Sequence, residues 1–187
     1  MATKKSTRRD PLRGTAIHEA GHAVLQTALG IGCQGLTIVP DHDSAGHARH
    51  GGEGKQAQHP GDVDDDVANL RLFAEDAFQL RHAIAAYAGA EAERRVGPEH
   101  LQAIEAGAQS DYQDAATRIT EITLDPESID LLDKYAQRRC TFLVEHYWPE
   151  IQAVANALLE AGTLTGEQVQ EVLVESVHKR DAALLRW

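Results

Sequence analysis

The 187-residue chain is poor in several residue types, and each shortage excludes something. Aromatic residues make up 5%, too few for a base-stacking or sugar-binding platform. The two cysteines, Cys33 and Cys140, lie far apart and match no CxxC spacing. They read as reduced core residues of a cytoplasmic protein. Basic residues are scarce as well: 18 Lys plus Arg face 29 Asp plus Glu, a net charge of −11. That balance argues against a nucleic-acid partner held by phosphate neutralisation. No run approaches the ~18 apolar residues a membrane span requires, and Met1 to Arg13 lacks the apolar segment of a secretory signal. The nearest approach to a phosphate loop, Gly51-Gly52-Glu53-Gly54-Lys55-Gln56, lacks the leading Gly at the right spacing and the Ser/Thr after Lys. What remains, 42% hydrophobic and 25% charged, is an ordinary globular composition. The chain is long enough to bury a core without cross-links.

Periodicity predicts a mainly α fold with a small β-hairpin or short sheet beside the first helix. Asp10-Pro11 reads as N-cap and first helical residue, and Gly30 as the stop. Cys33 to Pro40 is a short β-type run, with Ala45 to Arg49 as its returning partner. From Val63 to Val96 apolar residues recur at three and four, with Gly89 and Gly97 as break and stop. Further helices are expected over 110–124, 127–147, 149–161 and 165–178. The pairs Ser110/Gln113 and Thr165/Gln168 have capping-box spacing. The expected organisation is a basic flexible tail over 1–10, one domain over 11–180 and a short tail over 181–187.

Against these shortages stand ten histidines. Two of them form His18-Glu19-Ala20-Gly21-His22, an HExxH. On a helix, residues four apart share a face, so both imidazoles can aim a nitrogen at one ion. Glu19 is rotated to the side, where it reaches a water on that ion. Zinc holds three protein ligands plus water and lowers that water's pKa, and a neighbouring glutamate moves the proton. Gly21 is costly inside a helix unless something packs close to it. The plain alternative is a pair of helical histidines satisfied by hydrogen bonds. His42, His47, His50 and His59 crowd one loop-rich stretch. His47 and His50 would face opposite sides of a strand, which argues against a second metal pair. His82, His100, His146 and His178 have no partner spacing and read as structural.

The surroundings of the motif narrow the choice. Thr15 to Val24 (TAIHEAGHAV) followed by Leu36 to Pro40 (LTIVP) resembles the peptidase domain of the FtsH-type ATP-dependent zinc proteases. Ile84 to Val96 is similar to that family's "GGRAAE" helix, and Gly107 to Thr117 (GAQSDYQDAAT) to its "GASNDLxxAT" stretch. Leu143 to Leu173 resembles its closing helices. The likeness covers roughly residues 15–173, with four motifs in order. It implies a helical zincin-like peptidase domain that holds Zn2+ through His18, His22 and Asp111, with Glu19 as catalytic base. Glu93 matches the last residue of "RAAE". It competes with Asp111 as third ligand, but its expected role is to orient a ligating histidine. Where the family has Arg-Ala this chain has Ala90-Glu91, which brings an extra anion near the presumed site. Tyr112, beside Asp111, is a weak candidate for an oxyanion donor.

The resemblance therefore implies a zinc metalloendopeptidase acting on peptides or unfolded proteins. It is expected to stand alone, without the family's ATPase and membrane segments, to be ATP-independent, and to be cytoplasmic. A separate ATPase partner and a homo-oligomer are compatible with it. The rival expectation is a non-catalytic, zinc-stabilised adaptor or scaffold descended from such a peptidase. A third, weaker expectation is nucleic-acid binding through the basic tail.

Overall fold

The computed structural model describes residues 11–40, 47–50, 65–97 and 100–184. Its first helix, α1 (Pro11–Ala28), is the axis of the fold. Ala16, Ile17, Ala20, Ala23, Val24 and Leu25 are buried, and so are Glu19, His22 and Gln26. A helix apolar on nearly every side has to be enclosed on every side. It ends as expected at Gly30, whose φ of 75° permits a Schellman closure. The Ile31 N–H donates to the Gln26 carbonyl at 2.9 Å and the Gly30 N–H to that of Thr27 at 3.1 Å. The Asp10 cap lies outside the described residues.

Three short strands follow α1 in space: β1 (Cys33–Thr37), β2 (His47–His50) and β3 (Thr163–Thr165). Their order is β2-β1-β3, antiparallel throughout, with Leu36 opposite Ala48 on one side and Leu164 on the other. The hairpin of β1 with β2 is as expected, although β1 ends at Thr37 rather than Pro40. The third strand is an addition. Thr163–Thr165 is too short to carry a period of its own, and only pairing with β1 makes it a strand.

The long helical pattern divides into α2 (Asp65–Ala86) and α3 (Ala88–Val96). The break falls at Tyr87, not at Gly89, which lies inside α3. A helix that the sequence pattern misses, α4 (Leu101–Gly107), precedes α5 (Gln109–Ile122). Ser110 is therefore already inside a helix. Ala108 caps both helices, and no side chain caps α5, so the expected Ser110 capping box is not formed. The Tyr112 N–H donates to the Ala108 carbonyl at 3.0 Å.

The remaining helices are α6 (Pro126–His146), α7 (Trp148–Ala161) and α8 (Gly166–Leu184). Asp125 caps α6, accepting from the Ser128 N–H at 2.8 Å. The capping box at α8 does form: the Thr165 N–H donates to Gln168 Oε1 at 2.8 Å and the Gln168 N–H to Thr165 Oγ1 at 3.2 Å. Leu25, Ile151, Val154, Leu158, Val144, Cys140 and Val169 are essentially sealed from solvent. They join α1 to α6, α7 and α8 in one core, where burying each large aliphatic side chain contributes roughly 1.5–3 kcal/mol. The front of α1 packs on α3, the back on α7.

Candidate metal centre

The close approach of α3 to α1 is a matter of small side chains. Ala88, Ala90 and Ala92 are fully buried. A Cβ on Gly21 would meet the Ala88 carbonyl oxygen at 2.7 Å, so the glycine inside the HExxH helix is needed for contact between the two backbones. Gly89 faces the motif from across the gap. A Cβ there would lie 2.5 Å from Nε2 of both His18 and His22. The space that α3 leaves over the histidines is just the space that they fill.

The two imidazoles are fixed from behind. His22 Nδ1–H donates to the Ala85 carbonyl at 2.9 Å. Because a carbonyl only accepts, Nδ1 carries the hydrogen and Nε2 of a neutral His22 keeps its lone pair. His18 Nδ1–H donates to Glu93 Oε1, also at 2.9 Å. This is the orienting role expected of Glu93, which acts on the far nitrogen of His18 rather than beside Asp111.

The front of the site is a convergence of acceptors. Nε2 of His18 and Nε2 of His22 are 3.1 Å apart. Asp111 Oδ2, from the first turn of α5, lies 3.1 Å from the former and 3.4 Å from the latter. Two imidazole lone pairs and a carboxylate facing one another repel unless a positive charge lies between them. A tetrahedral ion bonded at roughly 2.0–2.1 Å would set its ligand atoms about 3.3–3.4 Å apart, close to these separations. His18, His22 and Asp111 are the one group of three such residues among the described residues that could hold a metal ion. The donor set, two nitrogens and one oxygen, suits zinc.

The electrostatics favour positive charge at the same point. Burial opposes protonation of His22, but the hydrogen bond and charge of Asp111, the charge of Glu19 and the Ala85 carbonyl more than offset it, so its pKa is raised. Burial likewise pushes the Asp111 carboxyl up, yet the hydrogen bonds and charges of His18 and His22 hold it well below the usual carboxylate range. Glu19, 5% exposed, is close enough for its charge to act on both His22 and Cys33. The Asp111 side chain keeps 23% of its surface open and His18 14%, so the centre is reachable from one side.

Three residues flagged from the sequence turn out to serve elsewhere. Glu91 does not add its charge to Glu93; it pairs with Arg94 at 3.0 Å. Ala90 is enclosed with Ile104 and Ala108. Tyr112 offers nothing to a reacting oxygen, because its hydroxyl accepts from Arg94 Nη2 at 2.6 Å and is also bonded to Glu105. His47 and His50 lie on β2, whereas His42 and His59 lie outside the described residues. His82 stacks near Phe78, and His146 packs between Phe142 and Tyr147.

Sequence reasoning missed Gly89 and Ala85. Nothing local marks a glycine as clearance for a neighbour's imidazole, or a carbonyl as a histidine's anchor. No family model matches the chain, and no curated protein matches it.

Proposed function

We propose that the chain is a zinc-dependent metallopeptidase of the FtsH-type resemblance, hydrolysing peptide bonds in peptides or unfolded proteins. The observation that carries this reading is the convergence of His18 Nε2, His22 Nε2 and Asp111 Oδ2, with the buried Glu19 beside them. Both rings are held at Nδ1 and turn their Nε2 atoms toward the same carboxylate.

His18, His22 and Asp111 would hold the ion, while Glu93 and the Ala85 carbonyl keep the two rings in the ligating tautomer. Bound zinc supplies a Lewis acid that lowers the pKa of a water and polarises the scissile carbonyl. Glu19 is the base that takes a proton from the attacking water and returns it to the leaving amine as the C–N bond breaks. A scaffold needs the ligands but has no use for a general base, so the buried Glu19 beside His22 favours the peptidase over the adaptor reading. β2 is an edge of the sheet, and its open side is the proposed track for an extended substrate backbone.

No helix among the described residues is long and apolar enough to cross a membrane. The proposed setting is the cytoplasm, and the proposed partners are unfolded chains, delivered by a separate ATPase or already unstructured.

The test is paired. Zinc per chain is measured, and cleavage of an unstructured protein is compared between wild type and Glu19→Gln. One zinc per chain with cleavage lost in the variant is the expected result. Stoichiometric zinc without any cleavage by wild type would favour the adaptor. A chain that takes up no zinc would defeat both.

A further inference from the structure

Asp111 is the odd member of the metal-binding group. His18 and His22 share α1, so one helix sets their spacing. Asp111 comes from α5, which packs chiefly on α2 and makes little backbone contact with the α1–α3 pair. Its position over the histidines therefore depends on whatever ties α5 to the wall of the site.

Beside the packing of α5 on α2, a side-chain network ties α5 directly to α3. Arg94 follows Glu93 on α3, and Tyr112 follows Asp111 on α5. Arg94 Nη2 donates to the Tyr112 hydroxyl at 2.6 Å and to Glu105 Oε1 on α4, also at 2.6 Å, while Nη1 donates to Glu91 Oε2 at 3.0 Å. Tyr112 hydrogen-bonds Glu105 in turn, and its ring lies 5.8 Å from that of Tyr87 at the α2–α3 break. Beneath it, Ala90, Ile104 and Ala108 close the apolar side. Glu93 and Asp111, the carboxylates these two helices bring to the site, are thus each followed directly by a residue of the network that joins the helices.

We infer that Arg94 and Tyr112, with Glu105, form a clasp that positions Asp111 for metal binding. They are positioning residues: they act on the ion only through Asp111. The inference rests on the metal reading proposed above. Tyr112→Phe removes one oxygen and keeps the ring packing, and Arg94→Met removes the other half of the clasp while keeping its stem.

The experiment measures the Zn2+ affinity of the full chain by competition with a chromophoric chelator, for wild type, Tyr112→Phe, Arg94→Met, the double variant and His22→Ala. Each single variant should weaken zinc binding by about tenfold or more, as lost partners of ligands commonly do. The double variant should be no worse than the weaker single one, since both break one unit. The visible absorption of bound Co2+ should shift in Tyr112→Phe, reporting changed ligand geometry. Melting of the metal-free chain is followed in parallel. A lower melting temperature with unchanged zinc affinity and Co2+ spectrum would overturn the clasp and leave the metal reading intact. Losses that simply add in the double variant would overturn it too. Wild type that binds zinc no better than His22→Ala would overturn the metal reading, and the clasp with it. Should Arg94→Met fail to fold, Tyr112→Phe decides alone.

Discussion

Gly89 and His22 stand in a relationship of exact clearance in the everyday sense of a key and its slot: a Cβ on the glycine would sit 2.5 Å from the imidazole Nε2. The ring has nowhere to retreat, since its other nitrogen is bonded to the Ala85 carbonyl. Gly89→Ala should therefore weaken zinc binding at least about tenfold, in the range seen when a ligand's support is disturbed. Helix propensity favours alanine by about 1 kcal/mol, so any loss of stability comes from the clash alone. Isothermal titration with Zn2+ checks this, and tight binding by the variant would show that α3 yields.

Glu19→Gln keeps the shape of the side chain but not its basicity. Zinc content should stay at the wild-type level while turnover of an unfolded substrate falls by about 10²–10⁴-fold, the usual worth of a general base. Metal analysis alongside the cleavage assay separates the two effects. Equal turnover would remove Glu19 from the chemistry.

Ala48 lies on β2, opposite Leu36. Proline at this position removes one amide N–H from the strand proposed to pair with substrate. Ala48→Pro should abolish peptide cleavage with zinc content unchanged. Cleavage that survives would mean that substrate runs elsewhere.

The pH behaviour of the clasp has a definite sign. Burial pushes the Tyr112 phenol up, Arg94 opposes, and the bond to Glu105 adds to the rise, leaving it at about 12. Its protonated form is the one the fold favours. The stabilisation is thus whole below the ordinary tyrosine value near 10 and lost as pH rises through about 12. The stability difference between wild type and Tyr112→Phe should shrink over that interval in denaturant titrations. A constant difference would separate the hydroxyl from the network.

Two helix starts offer a matched comparison. Thr165→Ala should cost about 1 kcal/mol, because Thr165 Oγ1 accepts from Gln168 N–H. Ser110→Ala should stay within about 0.5 kcal/mol, since no side chain caps α5. Urea unfolding of the two variants decides it.

That comparison also shows what a sequence can carry. The Thr165 box is local: donor, acceptor and spacing are all within four residues, and nothing precedes it but a strand. Ser110 has the same spacing, yet α5 already starts at Gln109 with Ala108 as its cap, so Ser110 stands inside the helix rather than at the cap position. The HExxH pair is legible for the same local reason, because a helix turn puts His18 over His22. Asp111 is 93 residues from His18 and came only through likeness to a family motif, not from spacing. Arg94 and Glu105 carry no signal in the sequence, and Tyr112 draws notice only as the neighbour of Asp111. Their roles depend on three helices meeting, and no periodicity encodes that meeting.

The middle strand of the sheet has a consequence for the order in which the molecule can assemble. β1 lies next to α1 in sequence, but one of its two neighbours is β3, with Thr37 and Thr163 126 residues apart. Closing so long a loop is an entropic cost met before the pairing returns anything, and such distant contacts slow folding. The HExxH helix can form early, but its seat against β1 and α7 is complete only when the far end of the chain has come back. Refolding should therefore be paced by that return, with metal uptake trailing the appearance of helix.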